Sequence, residues 1–156
     1  MKVLFVCLGN ICRSPLAEAV FKHKIQEHQL DSHVRADSCG TGDYHIGDQP
    51  DPRTVQIAQR NGVAIWHQAR QLSDTDLVEF DYIFAMDSSN HRNILQLPSA
   101  NFHQHKVRLL REYDPHGLGD VPDPYYGNLH DFQEVFDILN RSLDVFIREL
   151  KENLHH

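Results

Sequence analysis

The chain is poor in basic residues: its 156 positions hold 15 Lys and Arg against 22 Asp and Glu, a formal net charge of −7 at pH 7. That balance excludes the broad cationic face that a nucleic acid or an anionic membrane surface demands, so any affinity for phosphate is local. Cysteine is scarce as well. Three residues are too few for a disulfide framework and suit a reducing compartment, which predicts a cytoplasmic protein. No apolar run approaches the length of a bilayer span, and Asn10, Arg13 and Ser14 interrupt the first apolar stretch before it takes the layout of a secretory signal. Membrane insertion is not expected. Repeats and low-complexity linkers are missing, and the length suits one domain with a single core over residues 1–154, followed by His155 and His156, which carry no fold information. Histidine, by contrast, is plentiful at 12 residues. The histidines, His103 and His105 included, are scattered without a cysteine or carboxylate set at ligand spacing, so no functional metal is expected.

The informative stretch is the first twenty residues. Val3 to Val6 form a short apolar, β-branched and aromatic run that reads as a buried strand. Helical signals follow: Ser14 as an N-cap type, Pro15 at a first helical position, and Glu18 in the first turns, where a carboxylate suits the dipole. Between strand and helix lies a loop of Leu8, Gly9, Asn10, Ile11 and Cys12, with Gly9 and Asn10 where positive φ is expected. Its amides and the helix N-terminus make a nest for an oxyanion. Cys7 enters that nest from the strand end, and Arg13 follows six positions later. Helix-terminal dipoles and a guanidinium favour the thiolate, while the arginine fork matches two oxygens of a phosphate. C-x5-R-S therefore places a nucleophile inside a cradle for a phosphoryl group.

Further along, the pattern predicts a helix to about His28, a short strand from Val34 to Asp37, and a long turn-rich loop from Ser38 to Pro50. Asp51 and Pro52 open a helix that stops near Asn61 and Gly62, and Ser73 with Asp76 caps a short one. Tyr82 to Met86 reads as a third strand, Ser88 to Leu97 as a helix, and Lys106 to Leu110 as a fourth strand. A loop from Glu112 to Asn128 precedes an amphipathic helix from about His130 to Lys151. Strands alternating with helices imply an α/β fold with a parallel sheet covered on both faces, and ligands there bind outside the carboxyl ends of the strands. In the late loop, Pro122 and Pro124 restrain Asp123, which is a candidate acid beside Tyr125 and Tyr126.

V-C-L-G-N-I-C-R-S-P-x-A-E-A, together with D-P-Y-Y at 123–126, resembles the low-molecular-weight protein tyrosine phosphatases, and the resemblance extends over nearly the whole chain. It implies a single three-layer domain with a four-stranded sheet in the order 2-1-3-4. It implies hydrolysis of phosphotyrosine and other aryl phosphates through a phosphocysteine on Cys7, with Arg13 binding phosphate, Asp123 as acid and base, and no cofactor. By the same resemblance Ser14 assists the thiolate, and Asn10, Ser38 and His67 brace the phosphate loop. Tyr44, Tyr125 and Tyr126 line the entrance, and Cys12 is a protective disulfide partner for Cys7. Asp51 and Asp87 also match family positions, though helix capping explains both. Phosphotyrosine proteins are the implied substrates, and phosphate or vanadate-like oxyanions the implied inhibitors. Cys39 and Trp66 depart from the pattern and bear on substrate preference. Three rivals share single features: a thioredoxin-coupled arsenate reductase lacks its downstream cysteines here, a phosphocarrier does not require Asp123, and a nucleotide switch requires the absent G-x4-G-K-[ST].

Overall fold

The computed structural model describes residues 1–154; His155 and His156 lie outside the described residues. Four parallel strands, β1 (Lys2–Cys7), β2 (Arg35–Gly40), β3 (Tyr82–Ala85) and β4 (Val107–Leu109), form one sheet in the order β2-β1-β3-β4. The expected strand order is the one observed. Period-two alternation in β1 divides the core. Val3, Phe5 and Cys7 face one layer while Leu4 and Val6 face the other, and all are buried.

On the first face lie α1 (Arg13–Glu27), α2 (Pro52–Arg60) and α5 (Leu129–Leu154). On the second, α3 (Asp74–Glu79) and α4 (Ser88–Ile94) cover Leu4, Val6, Ile83 and Ala85 with Leu77 and Ile94. The apolar stripe of α5 expected from the sequence is buried along its length, from Phe132 to Leu150. Phe146 is its centre, with ring centroids 5.6 Å from Phe21, 4.9 Å from Phe84 and 5.1 Å from Tyr113.

The carboxylate caps form where the sequence places them, each while also accepting from an arginine side chain. Asp51 accepts from the Arg53 amide at the start of α2, and Gly62 takes a φ of +75° just past its end. The Asp76 carboxylate accepts from the Ser73 amide, and Asp87 from the Asn90 amide. Helix α1 departs from expectation: it begins at Arg13, so Ser14 lies inside its first turn, fully buried, and caps nothing. Its hydroxyl is drawn away by the loop beneath. Glu18 likewise is no exposed dipole partner but a buried hydrogen-bond acceptor. Strand β2 continues through Ser38 and Cys39 to Gly40, so Ser38 belongs to the sheet and not to the following loop. The reason is pairing: Phe5, Val6 and Cys7 offer ladder partners to Ser38, Cys39 and Gly40.

Candidate active site

Carboxyl ends of β1, β2 and β3 open on one side of the sheet, and the functional candidates gather there. Cys7 ends β1, buried at 3% exposure, and the loop after it wraps back over the sulfur. Asn10 makes that reversal with a φ of +58°, while Gly9 does not adopt positive φ. Gly9 is small for another reason, since a Cβ there would lie 3.1 Å from the His45 ring. Neighbouring Gly40 is pressed closer still: a Cβ on it would stand 2.7 Å from the Leu8 carbonyl oxygen. The loop therefore rests directly on the end of β2.

Two donors address the sulfur. The Asn10 amide donates to Cys7 Sγ at 3.3 Å, and Ser14 Oγ lies 2.9 Å from it. Which of the latter pair donates follows from the network behind the loop. The Arg70 amide, an obligatory donor, points at Asn10 Oδ1 at 3.0 Å, which fixes the carboxamide orientation. Asn10 Nδ2 then donates to Ser14 Oγ at 2.8 Å and to Ser38 Oγ at 3.0 Å. Ser14 has two acceptors for its own proton, the Cys39 carbonyl at 3.4 Å and the closer sulfur, and Ser38 gives its proton to Glu18 Oε1 at 2.7 Å. His67 closes the network, its Nε2 2.7 Å from Asn10 Oδ1 and its Nδ1 3.2 Å from Glu18 Oε1. Burial alone would raise the Glu18 pKa, but hydrogen bonds from His67, Lys22 and Ser38 outweigh it and hold it below the usual carboxylate range.

Arg13 is buried, and its Nη1 donates to Asp87 Oδ2 at 2.7 Å and to the Val121 carbonyl at 3.0 Å. Burial disfavours its charge, yet Cys7, Asp87 and Asp123 together hold the guanidinium charged. Asp123 Oδ2 stands 3.8 Å from Arg13 Nη2, at the rim. Its Oδ1 accepts from the Tyr125 amide at 3.1 Å, so the turn itself orients the carboxyl group. A cavity of about 330 Å³ opens above Cys7, walled by residues 7–13, Tyr44, His45, Asp123, Tyr125 and Tyr126. Ser14, Ser38 and His67 do not reach it; they stand behind the loop. Cys12 lies on the wall, and burial, reinforced by Asp51 and Cys7, pushes its thiol up to about 12. Cys39 is fully buried on the other side of the sheet. Trp66 turns its ring outward at 81% exposure.

The sequence reading did not single out Glu18 as a brace, His45 as a wall, or the Val121 carbonyl as an anchor. Glu18 and Ser38 lie twenty residues apart and on different elements, so no local spacing announces the pair. Among the described residues, Glu18, Asp37 and His67 bring ligand-type atoms within 4.8 Å of one another. Those atoms already serve the brace, with Asp37 bonded to Arg70 at 2.9 Å.

Comparison with known proteins agrees with this geometry. The profile of the family described as low molecular weight phosphotyrosine protein phosphatase matches residues 2–156. A low molecular weight phosphotyrosine protein phosphatase of Schizosaccharomyces pombe is 49% identical over 138 residues, 87% of this chain and 88% of its own. The protein of that name from Homo sapiens is 41% identical over 148 residues, 94% of each chain. A solved structure of a protein tyrosine phosphatase from Entamoeba histolytica, with Hepes in its active site, superposes with a TM-score of 0.94 at 41% identity, covering 98% of both chains.

Proposed function

The chain belongs to the low molecular weight phosphotyrosine protein phosphatase family, and on that premise we propose that it cleaves aryl phosphate monoesters through a covalent intermediate on Cys7, without a metal. The observation that carries the reading is the setting of the Cys7 sulfur, which receives the Asn10 amide and the Ser14 hydroxyl at the floor of a cavity rimmed by Asp123 and Arg13. The loop amides and the Arg13 fork hold the equatorial phosphate oxygens and supply the positive field that the transition state needs. Asp87, besides capping α4, holds the fork in place. Cys7 attacks phosphorus in line, and Asp123 protonates the departing phenol oxygen. Water then attacks the phosphocysteine, giving a proton to the Asp123 carboxylate, while Ser14 supports the departing thiolate.

Tyr44, Tyr125 and Tyr126 offer flat faces to a phenyl ring, which favours phosphotyrosine over shorter phosphate esters. Phosphotyrosine proteins are the substrates in this reading, phosphate and vanadate-like oxyanions the inhibitors, and the cytoplasm the compartment. Among the described residues no helix is long and apolar enough to cross a membrane. Residues 1–154 act as the single catalytic domain.

Replacing Cys7 with Ser tests the assignment. Turnover is expected to vanish while vanadate binding, measured by calorimetry, persists because the amides and Arg13 remain. Substantial hydrolysis by a clean Cys7→Ser preparation contradicts the mechanism.

A further inference from the structure

The segment that carries Asp123 is pinned at Val121 and packed at Pro124, both buried, but has few hydrogen bonds to the rest of the chain. Tyr126 is almost fully exposed and Asp123 and Tyr125 partly so, and the turn bonds mostly to itself, through the Asp123 carboxylate and the Tyr125 amide and through the Gly127 amide and the Pro124 carbonyl. Among the described residues, the hydrogen bonds that reach the backbone of 123–127 from elsewhere come from one side chain, Arg53. Its Nη2 donates to the Tyr125 carbonyl at 2.9 Å and its Nη1 to the Gly127 carbonyl at 3.1 Å. The same guanidinium spends its other face on Asp51, with Nε 3.0 Å from Oδ1 and Nη2 3.0 Å from Oδ2. Its carbon sits 4.5 Å from the Phe132 ring centroid and 5.7 Å from that of Tyr125, so the group is held against aromatic rings as well as bonded. Asp51 in turn ties this group to the phosphate loop, because its amide donates to the Ile11 carbonyl at 2.8 Å.

We propose that Arg53 is a positioning residue for the reaction: it is the bracket that fixes the Asp123 turn in register with the phosphate loop, through Asp51 and Ile11. The proposal rests on the assignment of Asp123 as the acid. Helix capping alone does not account for the arrangement, since the Asp51 cap needs only the Arg53 amide, which it receives at 2.8 Å. The side chain is left to cross to a loop more than seventy positions away, where a planar fork with donors on both edges fits two carbonyls and a carboxylate at once. A lysine ammonium is a single point and reproduces one of these contacts at a time. Proton delivery to a leaving oxygen is sensitive to displacements of about 1 Å, so a loosened turn weakens acid catalysis before it weakens phosphate binding.

The test is kcat/KM across a series of aryl phosphates whose leaving phenols run from very acidic to weakly acidic, for the native enzyme, Asp123→Asn, Arg53→Met and the double variant. Arg53→Lys, which keeps the charge and the apolar stem, serves as the second single variant should Met weaken α2. For Asp123→Asn the loss is expected to grow as the phenol becomes less acidic. For Arg53→Met and Arg53→Lys the same trend is expected, roughly ten- to hundredfold for the poorest leaving group and within about threefold for the best. In the double variant, Arg53→Met adds nothing to the slope already produced by Asp123→Asn. Alkylation of Cys7 by iodoacetate keeps its native rate in the Arg53 variants. A steep Asp123→Asn series beside a uniform loss, or none, for both Arg53 variants overturns the bracket alone. Additive slopes in the double variant do the same. A flat Asp123→Asn series overturns the acid assignment, and the bracket with it.

Discussion

At the scale of single residues, the two thiols on the cavity wall differ in kind. Cys7 meets donors, whereas Cys12 is buried beside Asp51 and its thiol is pushed up to about 12, so Cys12 stays neutral at physiological pH. We propose capture all the same, on their shared cavity wall: peroxide converts the Cys7 thiolate to the sulfenic acid, and Cys12, giving up its proton as it attacks, displaces the hydroxyl as water. Mild peroxide is therefore expected to inactivate the enzyme reversibly, with phosphate protecting. Cys12→Ser is expected to remain active yet to recover poorly with dithiothreitol. Peptide mapping that joins Cys39 to Cys7, or equal recovery of the Cys12→Ser variant, contradicts the pairing. The residues in this cluster that local sequence could indicate are those in the contiguous C-x5-R-S run and the proline-flanked D-P-Y-Y. Glu18 was legible only as a helix residue, because its partners Ser38 and His67 reach it through the fold.

Among the elements, strands and most caps were legible because each is written in a few adjacent residues: the apolar run of β1, Asp51 with Pro52, and Ser73 with Asp76. Two boundaries differ from the local signals, each for its own tertiary reason. Ser14 with Pro15 is a typical helix start, yet the Ser14 hydroxyl is taken by Asn10 and Cys7 inside the loop, and Ser38 opens a turn-rich stretch, yet β1 offers it a ladder partner. Tertiary hydrogen bonding overrides local preference there. The long helix α5 was the plainest reading of all, since its stripe repeats over many turns. Phe146 is one of its fully buried anchors, packed against Phe21, Phe84, Tyr82 and Tyr113. Phe146→Ala is expected to cost about 3–5 kcal/mol of unfolding free energy, read from urea denaturation, with KM for an aryl phosphate little changed. A cost below about 1 kcal/mol would mean that α5 does not hold the first core layer.

For the molecule as a whole, part of the acid stability rests on a carboxylate outside the cavity lining. Asp114, between the Arg111 turn and α5, is buried, which would raise its pKa. Hydrogen bonds from Arg141, the His116 amide and Arg111 outweigh this and bring it to about 2. A folded value below the unfolded one, about 3.9, means that the stabilisation is complete above that unfolded value and is lost as pH falls through the folded value. The contribution is about 2–3 kcal/mol at neutral pH. Asp114→Asn is thus expected to lower stability at pH 7 and to converge with the native protein toward pH 2; denaturation curves that run parallel across that window contradict the role.

The family and the fold stand on the sheet order, the cavity and the relatives, while the covalent step on Cys7 stands on geometry and chemistry. It is tested most directly by rapid denaturing quench during turnover of an aryl phosphate, followed by peptide mass spectrometry. A phosphoryl group is expected on the peptide that carries Cys7, at a level that falls when Cys7 is alkylated beforehand. Phosphate found on another residue, or steady turnover with no phosphoenzyme at any quench time, would contradict it.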